Sequence, residues 1–152
     1  MRWTHFGAFF VIISFLIPGC KPKGLEGLVP AKGQVLYEEK PLGGAILTFS
    51  PKEGTGRTAN ATTNVKGFFT LGTLNSGDGI APGEYHVSIS KYVVQNPMTN
   101  EEINDYIMKH DVSPEIISKS VIPDKYADFQ KSGLTATIPE KGIKNLEFKL
   151  AP

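Results

Sequence analysis

Cysteine is almost absent from this sequence of 152 residues, which contains a single one, Cys20. With one thiol, no disulfide can form within the chain, so side-chain packing alone has to stabilise the fold. Zinc sites built from several cysteines are excluded for the same reason. A small domain without crosslinks needs a well-filled apolar core, and the search for that core starts from the strand pattern described below.

Histidine and arginine are scarce as well. The sequence has three His, and beyond the N-terminal region only His86, His110 and one arginine, Arg57, remain. Nucleophilic catalysis needs a nucleophile, a base and an orienting group. His86 shares a predicted strand face with Ser88 and Ser90, but alternating polar residues on a solvated face are the commoner cause of that pattern. We therefore expect no catalytic residues, no metal ligands, no cofactor and no enzymatic activity.

Two other kinds of chemistry have candidates by residue type alone. Asn75 and Asp78 lie in a Gly-rich loop and offer oxygens to calcium, but Ca²⁺ takes 6–8 oxygens and no spaced run of acids supplies the rest. A simple turn is the preferred interpretation of that loop. A self-formed Lys–Asn crosslink would have Lys32 and Asn145 as candidates, and it would need both to meet a buried acid in the core.

An excess of charge is missing too. The sequence has 16 Lys and Arg against 15 Asp and Glu, and loss of the N-terminal region, which holds Arg2 and no acid, would leave the chain formally neutral. Such a chain has no basic field for nucleic acid and no basic stripe for anionic lipid headgroups. We expect no nucleic-acid partner.

Long hydrophobic runs are limited to one, between Phe6 and Ile17. A spanning helix needs about 20 apolar residues, and this run is shorter and ends at the small and turn-forming residues Pro18 and Gly19. The residues Ile17-Pro18-Gly19-Cys20 look like a bacterial lipobox. We therefore predict a signal-peptide helix over residues 1–19, cleavage before Cys20 and lipidation of its sulfur and amine.

This interpretation also accounts for the position of the lone cysteine. The alternative, a plain secretory signal, would leave Cys20 as an unpaired thiol in an oxidising compartment. Residues 20–30 then form a tether, and the acylated Cys20 holds the protein on the extracytoplasmic side of a cell membrane. Lys21 stands where Asp is the familiar inner-membrane retention signal in enteric bacteria, so the periplasmic side of the outer membrane stays open as an alternative.

Strand periodicity sets in at Ala31 and predicts one mainly β domain over residues 31–150. About seven short strands alternate apolar and polar residues and are separated by Gly- and Pro-containing turns. Two antiparallel sheets packed face to face, as in an immunoglobulin-like β-sandwich, would bury one side of each strand. The residues predicted to face the core are Ala45, Leu47, Phe49, Phe69, Leu71, Tyr85, Val87, Ile89, Leu134, Ala136, Ile138, Leu146, Phe148 and Leu150.

The strand pattern lapses over a helical insertion at about residues 94–132. Within it, Thr99 and Glu102 fit a capping box at the start of a helix that ends at His110. Three tyrosines lie in or next to the insertion, Tyr92, Tyr106 and Tyr126. They form a candidate binding surface, and the alternative is that they pack the insertion onto the sandwich.

Five motifs follow each other in a characteristic order, Gly33–Val35, Lys40–Leu42, Gly44–Pro51, Thr63–Leu71 and Pro82–Ile89. With them, the chain resembles the carboxypeptidase regulatory-like domain, a seven-stranded prealbumin-like sandwich. The family pattern is G-x-V, K-P-L, G-A-x-V-x-F, T-D-x-x-G-x-F-x-L and P-G-x-Y-x-V-x-I. This chain departs from it where Asn64 replaces the usual Asp.

The end of the chain carries a second resemblance. Ile122–Tyr126 and Ser132–Thr137 are similar to the tail of small secreted lipoproteins common in Planctomycetes. Domains of this kind are usually structural, adhesive or carbohydrate-associated. The expected function is a membrane-anchored, non-catalytic structural or protein-interaction module of the cell envelope, whose partner is an envelope protein. The alternative is a carbohydrate-binding module for envelope or captured polysaccharide.

Overall fold

The computed structural model describes residues 27–53 and 56–152. The predicted signal peptide, Cys20 and most of the predicted tether lie outside the described residues. Within them, the chain forms ten strands, one α-helix and one 3-10 turn. No helix in this described part has both the length and the apolar character needed to cross a membrane.

Most of the secondary-structure elements are β-strands. In chain order, the elements are β1 (Ala31–Tyr37), β2 (Lys40–Pro41), β3 (Ile46–Pro51), β4 (Ala59–Thr62), β5 (Phe68–Thr70), β6 (Gly83–Ser90), β7 (Tyr92–Val94), α1 (Asn100–His110), β8 (Ser118–Ser120), a 3-10 turn (Asp124–Ala127), β9 (Leu134–Ile138) and β10 (Ile143–Leu150).

Two larger sheets and one small ribbon result. In the first sheet β1 lies between β10 on one side and β5 and β2 on the other. The second sheet has the order β4-β3-β6-β9, and β7 and β8 form a separate two-stranded ribbon. The fold is mainly β with several antiparallel pairings, as predicted, and its layering is consistent with a β-sandwich.

The prediction of purely antiparallel sheets is wrong at one place. β10 runs parallel to β1, with Val35 opposite Phe148 and Tyr37 opposite Leu150. The turn between Pro139 and Gly142 carries the chain from the second sheet to the first, so β10 pairs with the first strand of the domain rather than with β9. The described residues also contain more strands than the seven expected, because β2, β7 and β8 are additional and have two or three residues each.

The core lies between the two larger sheets and is centred on Phe49. Its ring centroid lies 5.9 Å from that of Phe148, 6.2 Å from Tyr85 and 6.3 Å from Phe69. These distances are in the range of favourable aromatic pairs. Of the residues predicted to face inward, all are buried except Leu134 and Leu146, which are half-buried.

The domain begins slightly earlier than the predicted boundary at residue 31. The backbone N–H of Val29 donates to the C=O of Ile80 at 2.9 Å, and the N–H of Ile80 donates back at 3.0 Å. Val29 also packs against the core. The last residues of the predicted tether are therefore part of the folded domain.

Thr63 is one of two buried polar residues among those described. Its hydroxyl donates to the C=O of Leu42 at 2.6 Å and accepts from the N–H of Ala45 at 2.8 Å. This side chain thus links the end of β4 to the turn before β3.

Thr63→Val is expected to lower the free energy of unfolding by about 1–3 kcal/mol, because it keeps the shape and leaves two buried backbone groups without a partner. Urea denaturation measures the change. Thr62→Val is the matched control, since Thr62 is exposed. Equal effects of the two substitutions would contradict the role given to the Thr63 hydroxyl.

The predicted helix is confirmed with its capping box. The N–H of Glu102 donates to the Thr99 hydroxyl at 3.2 Å, and the Glu102 carboxylate accepts from the Thr99 N–H at 2.7 Å. Asp111 ends the helix in the left-handed conformation. None of the helix residues is buried, so its apolar face does not pack into the core of the sandwich.

Candidate functional site

The three tyrosines of the predicted binding surface are not all exposed. Tyr92 on β7 is 54% exposed and Tyr106 on α1 is also exposed, whereas Tyr126 is only 7% exposed. The Tyr126 hydroxyl donates to the C=O of Ala151 and accepts from the N–H of Ala151, each at 3.1 Å. Tyr126 packs the 3-10 turn and the end of the chain onto the sandwich, so it contributes nothing to an exposed surface.

The two exposed tyrosines belong to a segment that we call the arm, residues 91–121. It contains the β7–β8 ribbon and α1, and Asn96 closes the end of the ribbon that leads into the helix. The Asn96 side chain donates to the C=O of Glu115 and accepts from the N–H of Ile117, both at 2.7 Å. The exposed large apolar side chains of the arm are Tyr92, Val93, Val94, Tyr106, Ile107, Met108, Val112, Ile116, Ile117 and Val121.

His86 lies on the outer face of β6, as the sequence pattern predicted. It is half-buried, and its ring centroid is 6.4 Å from that of Phe129. Among the described residues, neither Ser88 nor Ser90 donates a side-chain hydrogen bond to His86. His110 stacks on Tyr106 one turn earlier in α1, with 4.4 Å between ring centroids.

Acidic side chains do not form a metal site in the described segments, where no group of three or more His, Cys, Asp and Glu lies close enough to hold an ion. Asp78 has another function. Its carboxylate accepts backbone N–H bonds from Asn75 at 2.9 Å, Thr73 at 2.6 Å and Leu74 at 3.1 Å. These bonds hold the pKa of Asp78 below its ordinary value, and the bonds from Asn75 and Thr73 contribute most.

The depressed pKa predicts how the loop responds to acid. The ionised Asp78 stabilises the loop at any pH above the unfolded-state pKa of about 3.9, and that contribution is lost as pH falls through the lower folded pKa. We expect the protection factor of the Thr73 amide, its exchange rate measured by NMR relative to that of an unstructured peptide at the same pH, to fall at acid pH. In Asp78→Asn the exchange should be fast already at neutral pH; a wild-type rate at neutral pH would contradict this assignment.

A cleft of about 1030 Å³ opens on the outer surface beside this loop. It lies where the hairpin of β4 and β5 splits, because β4 pairs with β3 in one sheet and β5 pairs with β1 in the other. At one end Asn60 and Gly72 exchange two backbone hydrogen bonds of 2.8 and 3.0 Å; at the other the Asn64 N–H donates to the C=O of Phe68 at 2.8 Å. Between these two bridges the strands diverge.

Primary amides are the most frequent polar side chains of the cleft. They are Gln34, Asn60, Asn64, Asn75 and Asn145. They come from β1, β4, the turn after it, the Asp78 loop and β10, so distant parts of the sequence meet here through the parallel β1–β10 pair.

The charged side chains of the cleft are few and of mixed sign. Lys32, Lys144 and Glu147 line it, and all three are exposed. Lys32 and Asn145, the candidates for a self-formed crosslink, thus lie on a solvated face and not in the core. Formation of such a crosslink requires buried reacting groups, and these two residues are exposed.

Sequence reasoning missed this cleft. Many of its residues stand at the outward positions of strands, next to residues that the sequence predicts to face the core. A recurrence of Asn and Gln at those outward positions was the available signal, but nothing in the pattern alone indicates that strands from both sheets bring the amides together.

Comparisons with known proteins give little further information. No family model matches the chain, and no curated protein matches it. Among solved structures, the chain is similar to part of a 9R-lipoxygenase from Cyanothece PCC8801, with 12% identity over 87% of this chain and a TM-score of 0.41. The match covers 17% of that chain, and at this TM-score it carries no argument about this protein.

Proposed function

We propose that this protein is a lipid-anchored, extracytoplasmic module of the cell envelope that acts by binding and not by catalysis. The lipobox-like residues Ile17–Cys20 support the anchor. Acyl chains on Cys20 would insert into the bilayer, and stable anchoring requires more than one chain, which lipidation of both sulfur and amine supplies. The membrane is that of the cell envelope, with the periplasmic side of the outer membrane as one possible face.

The observation that carries the binding function is the concentration of exposed apolar side chains on the arm. Ten of the fifteen exposed large hydrophobic residues of the described chain lie within residues 91–121. Large exposed apolar patches are costly in water and mark interaction sites. An ordered helix that buries none of its residues in its own domain offers its surface to another molecule, and we propose an envelope protein as that partner.

The test of this function is site-specific photocrosslinking in native cells, with the reactive group at Tyr92. We expect one defined protein partner in a fixed ratio. The double variant Met108→Asp and Ile116→Asp should abolish the crosslink, whereas Val65→Asp, at an exposed apolar residue outside the arm, should leave it intact. A crosslink that survives both variants, or no protein crosslink at all, would contradict the arm as a docking surface.

We also propose the domain to be of the carboxypeptidase regulatory-like type. The ordered motifs between Gly33 and Ile89 support this. At two positions of these motifs, the structure gives a physical reason for glycine. A Cβ at Gly33 would collide with Leu146, and Gly67 has φ +76 beside the C=O of Val35. Both glycines therefore lie where β1 and a neighbouring segment approach too closely for a side chain.

A second candidate function, carbohydrate binding, has one observation in its favour. The amide-lined cleft is chemically suited to a ligand rich in hydroxyl groups. The candidate surface of three tyrosines loses Tyr126 to packing, so carbohydrate binding is better assigned to the cleft than to the arm.

A further inference from the structure

Phe68 is an exposed aromatic side chain that lines the cleft. It is 49% exposed, whereas its neighbour Phe69 is 3% exposed, because successive side chains of β5 point to opposite faces. On the outer face Phe68 lies opposite Gln34 of β1. A half-exposed phenyl ring beside amides offers a flat apolar platform with polar groups at its edge. A sugar ring has the matching form, with C–H groups on its face and hydroxyl groups around it.

Three of the amides are held in fixed orientations by bonds within the protein. Gln34 donates through Nε2 to the C=O of Lys66 at 2.9 Å, so its oxygen remains as an acceptor. The Asn60 oxygen accepts from the Thr48 hydroxyl at 3.1 Å. The Asn64 oxygen accepts two backbone N–H bonds of 2.9 and 3.0 Å. The amide nitrogens of both asparagines therefore remain as donors.

This fixed set of donors and acceptors is preorganised for hydroxyl groups. A hydroxyl both donates and accepts, and an amide side chain also offers both functions. Because the amides are already oriented, binding would cost little side-chain entropy. A charged ligand would gain little from the ionised side chains of the cleft, because Lys32, Lys144 and Glu147 are exposed and mixed in sign. The chemistry of the cleft thus favours an uncharged ligand.

The size of the cleft and its closed ends restrict the class of ligand further. Its volume of about 1030 Å³ is slightly above the range of about 300–1,000 Å³ for small-molecule pockets, which suits several linked sugar units. A peptide strand is disfavoured, because strand addition needs a row of free backbone groups. Here the Asn60–Gly72 and Asn64–Phe68 bridges close the gap at both ends.

We propose that the cleft binds an uncharged oligosaccharide or polysaccharide, with Phe68 stacked on a sugar ring and Gln34, Asn60 and Asn64 bonded to its hydroxyl groups. The Asp78 loop forms one wall, on which Leu74 and Asn75 lie. This inference rests on the second function proposed above and names its site; it depends neither on the lipid anchor nor on a protein partner at the arm.

The experiment uses the full chain in detergent and affinity electrophoresis through gels that contain one polysaccharide each. The neutral panel consists of a glucan, a mannan, a galactan and a xylan, and alginate is the charged probe. We expect retardation by at least one neutral polysaccharide and at least tenfold weaker binding of Phe68→Ala. Phe129→Ala is the matched control, because Phe129 is 44% exposed and lies outside the cleft. Asn60→Ala provides a second cleft variant and should weaken the same binding.

Each outcome of the electrophoresis tests a different part of the proposal. Retardation that is lost in the cleft variants and kept in Phe129→Ala supports the inference. Retardation that is unchanged in the cleft variants but lost in Tyr92→Ala would overturn the cleft as the site and leave carbohydrate binding standing on the arm. No retardation by any of the polysaccharides would overturn both the cleft site and carbohydrate binding. Binding of alginate alone would overturn the proposal of an uncharged ligand and leave carbohydrate binding standing. Neither result would affect the crosslinking test of the arm.

Discussion

Replacing Phe49 by Ala is expected to lower the free energy of unfolding by about 3–5 kcal/mol. Phe49 is completely buried, and three aromatic rings surround it within 6.3 Å. The substitution would remove these contacts and leave a cavity that a rigid pair of sheets cannot close. Because domains of this size have a total stability of about 5–15 kcal/mol, the variant would lose a large part of it, and no disulfide could compensate.

Urea denaturation of the wild type and of two further variants completes this test. Phe69→Ala, which also removes a buried ring, should be similarly destabilised, whereas Phe68→Ala on the neighbouring outward position should change the stability by less than about 1 kcal/mol. A stable Phe49→Ala, or equal losses at Phe68 and Phe69, would contradict the core and the facing of β5.

In a chain from which residues 1–19 have been removed, Cys20→Ser is expected to release nearly all of the protein from the membrane fraction. A serine hydroxyl cannot form the thioether to a lipid, and each acyl CH₂ withdrawn from the bilayer forfeits about 0.8 kcal/mol. A chain that begins at residue 20 would have no basic excess to replace the lost acyl chains by attraction to anionic headgroups. Fractionation of cells and immunoblotting would measure the distribution.

Lys21→Ala is the control for this substitution. It changes the neighbouring residue and keeps the cysteine, so the protein should stay with the membrane. A Cys20→Ser protein that lacks residues 1–19 and still remains in the membrane fraction would contradict lipid as the anchor.

Much of the core could be predicted from the sequence, because strand alternation is a local property. The run from Glu84 to Ser90 alternates strictly, and its inward residues Tyr85, Val87 and Ile89 are buried as expected. The helix start at Thr99 was equally accessible, since a capping box requires only residues three positions apart.

The features that could not be predicted depend on distant pairing. Nothing local in Leu146–Leu150 indicates that this strand pairs in parallel with β1 rather than in a hairpin. The burial of Tyr126 likewise depends on Ala151, which is 25 positions away and bonds its hydroxyl. The cleft follows from the same cause, because its amides approach each other only after both sheets have formed.

The most direct test of the proposed anchored module is the intact mass of the protein extracted from membranes of its native cells. The account predicts a chain that begins at Cys20 and carries a diacylglyceryl group on the sulfur and an acyl group on the amine. A mass that retains residues 1–19, or a cleaved chain with an unmodified cysteine, would contradict it.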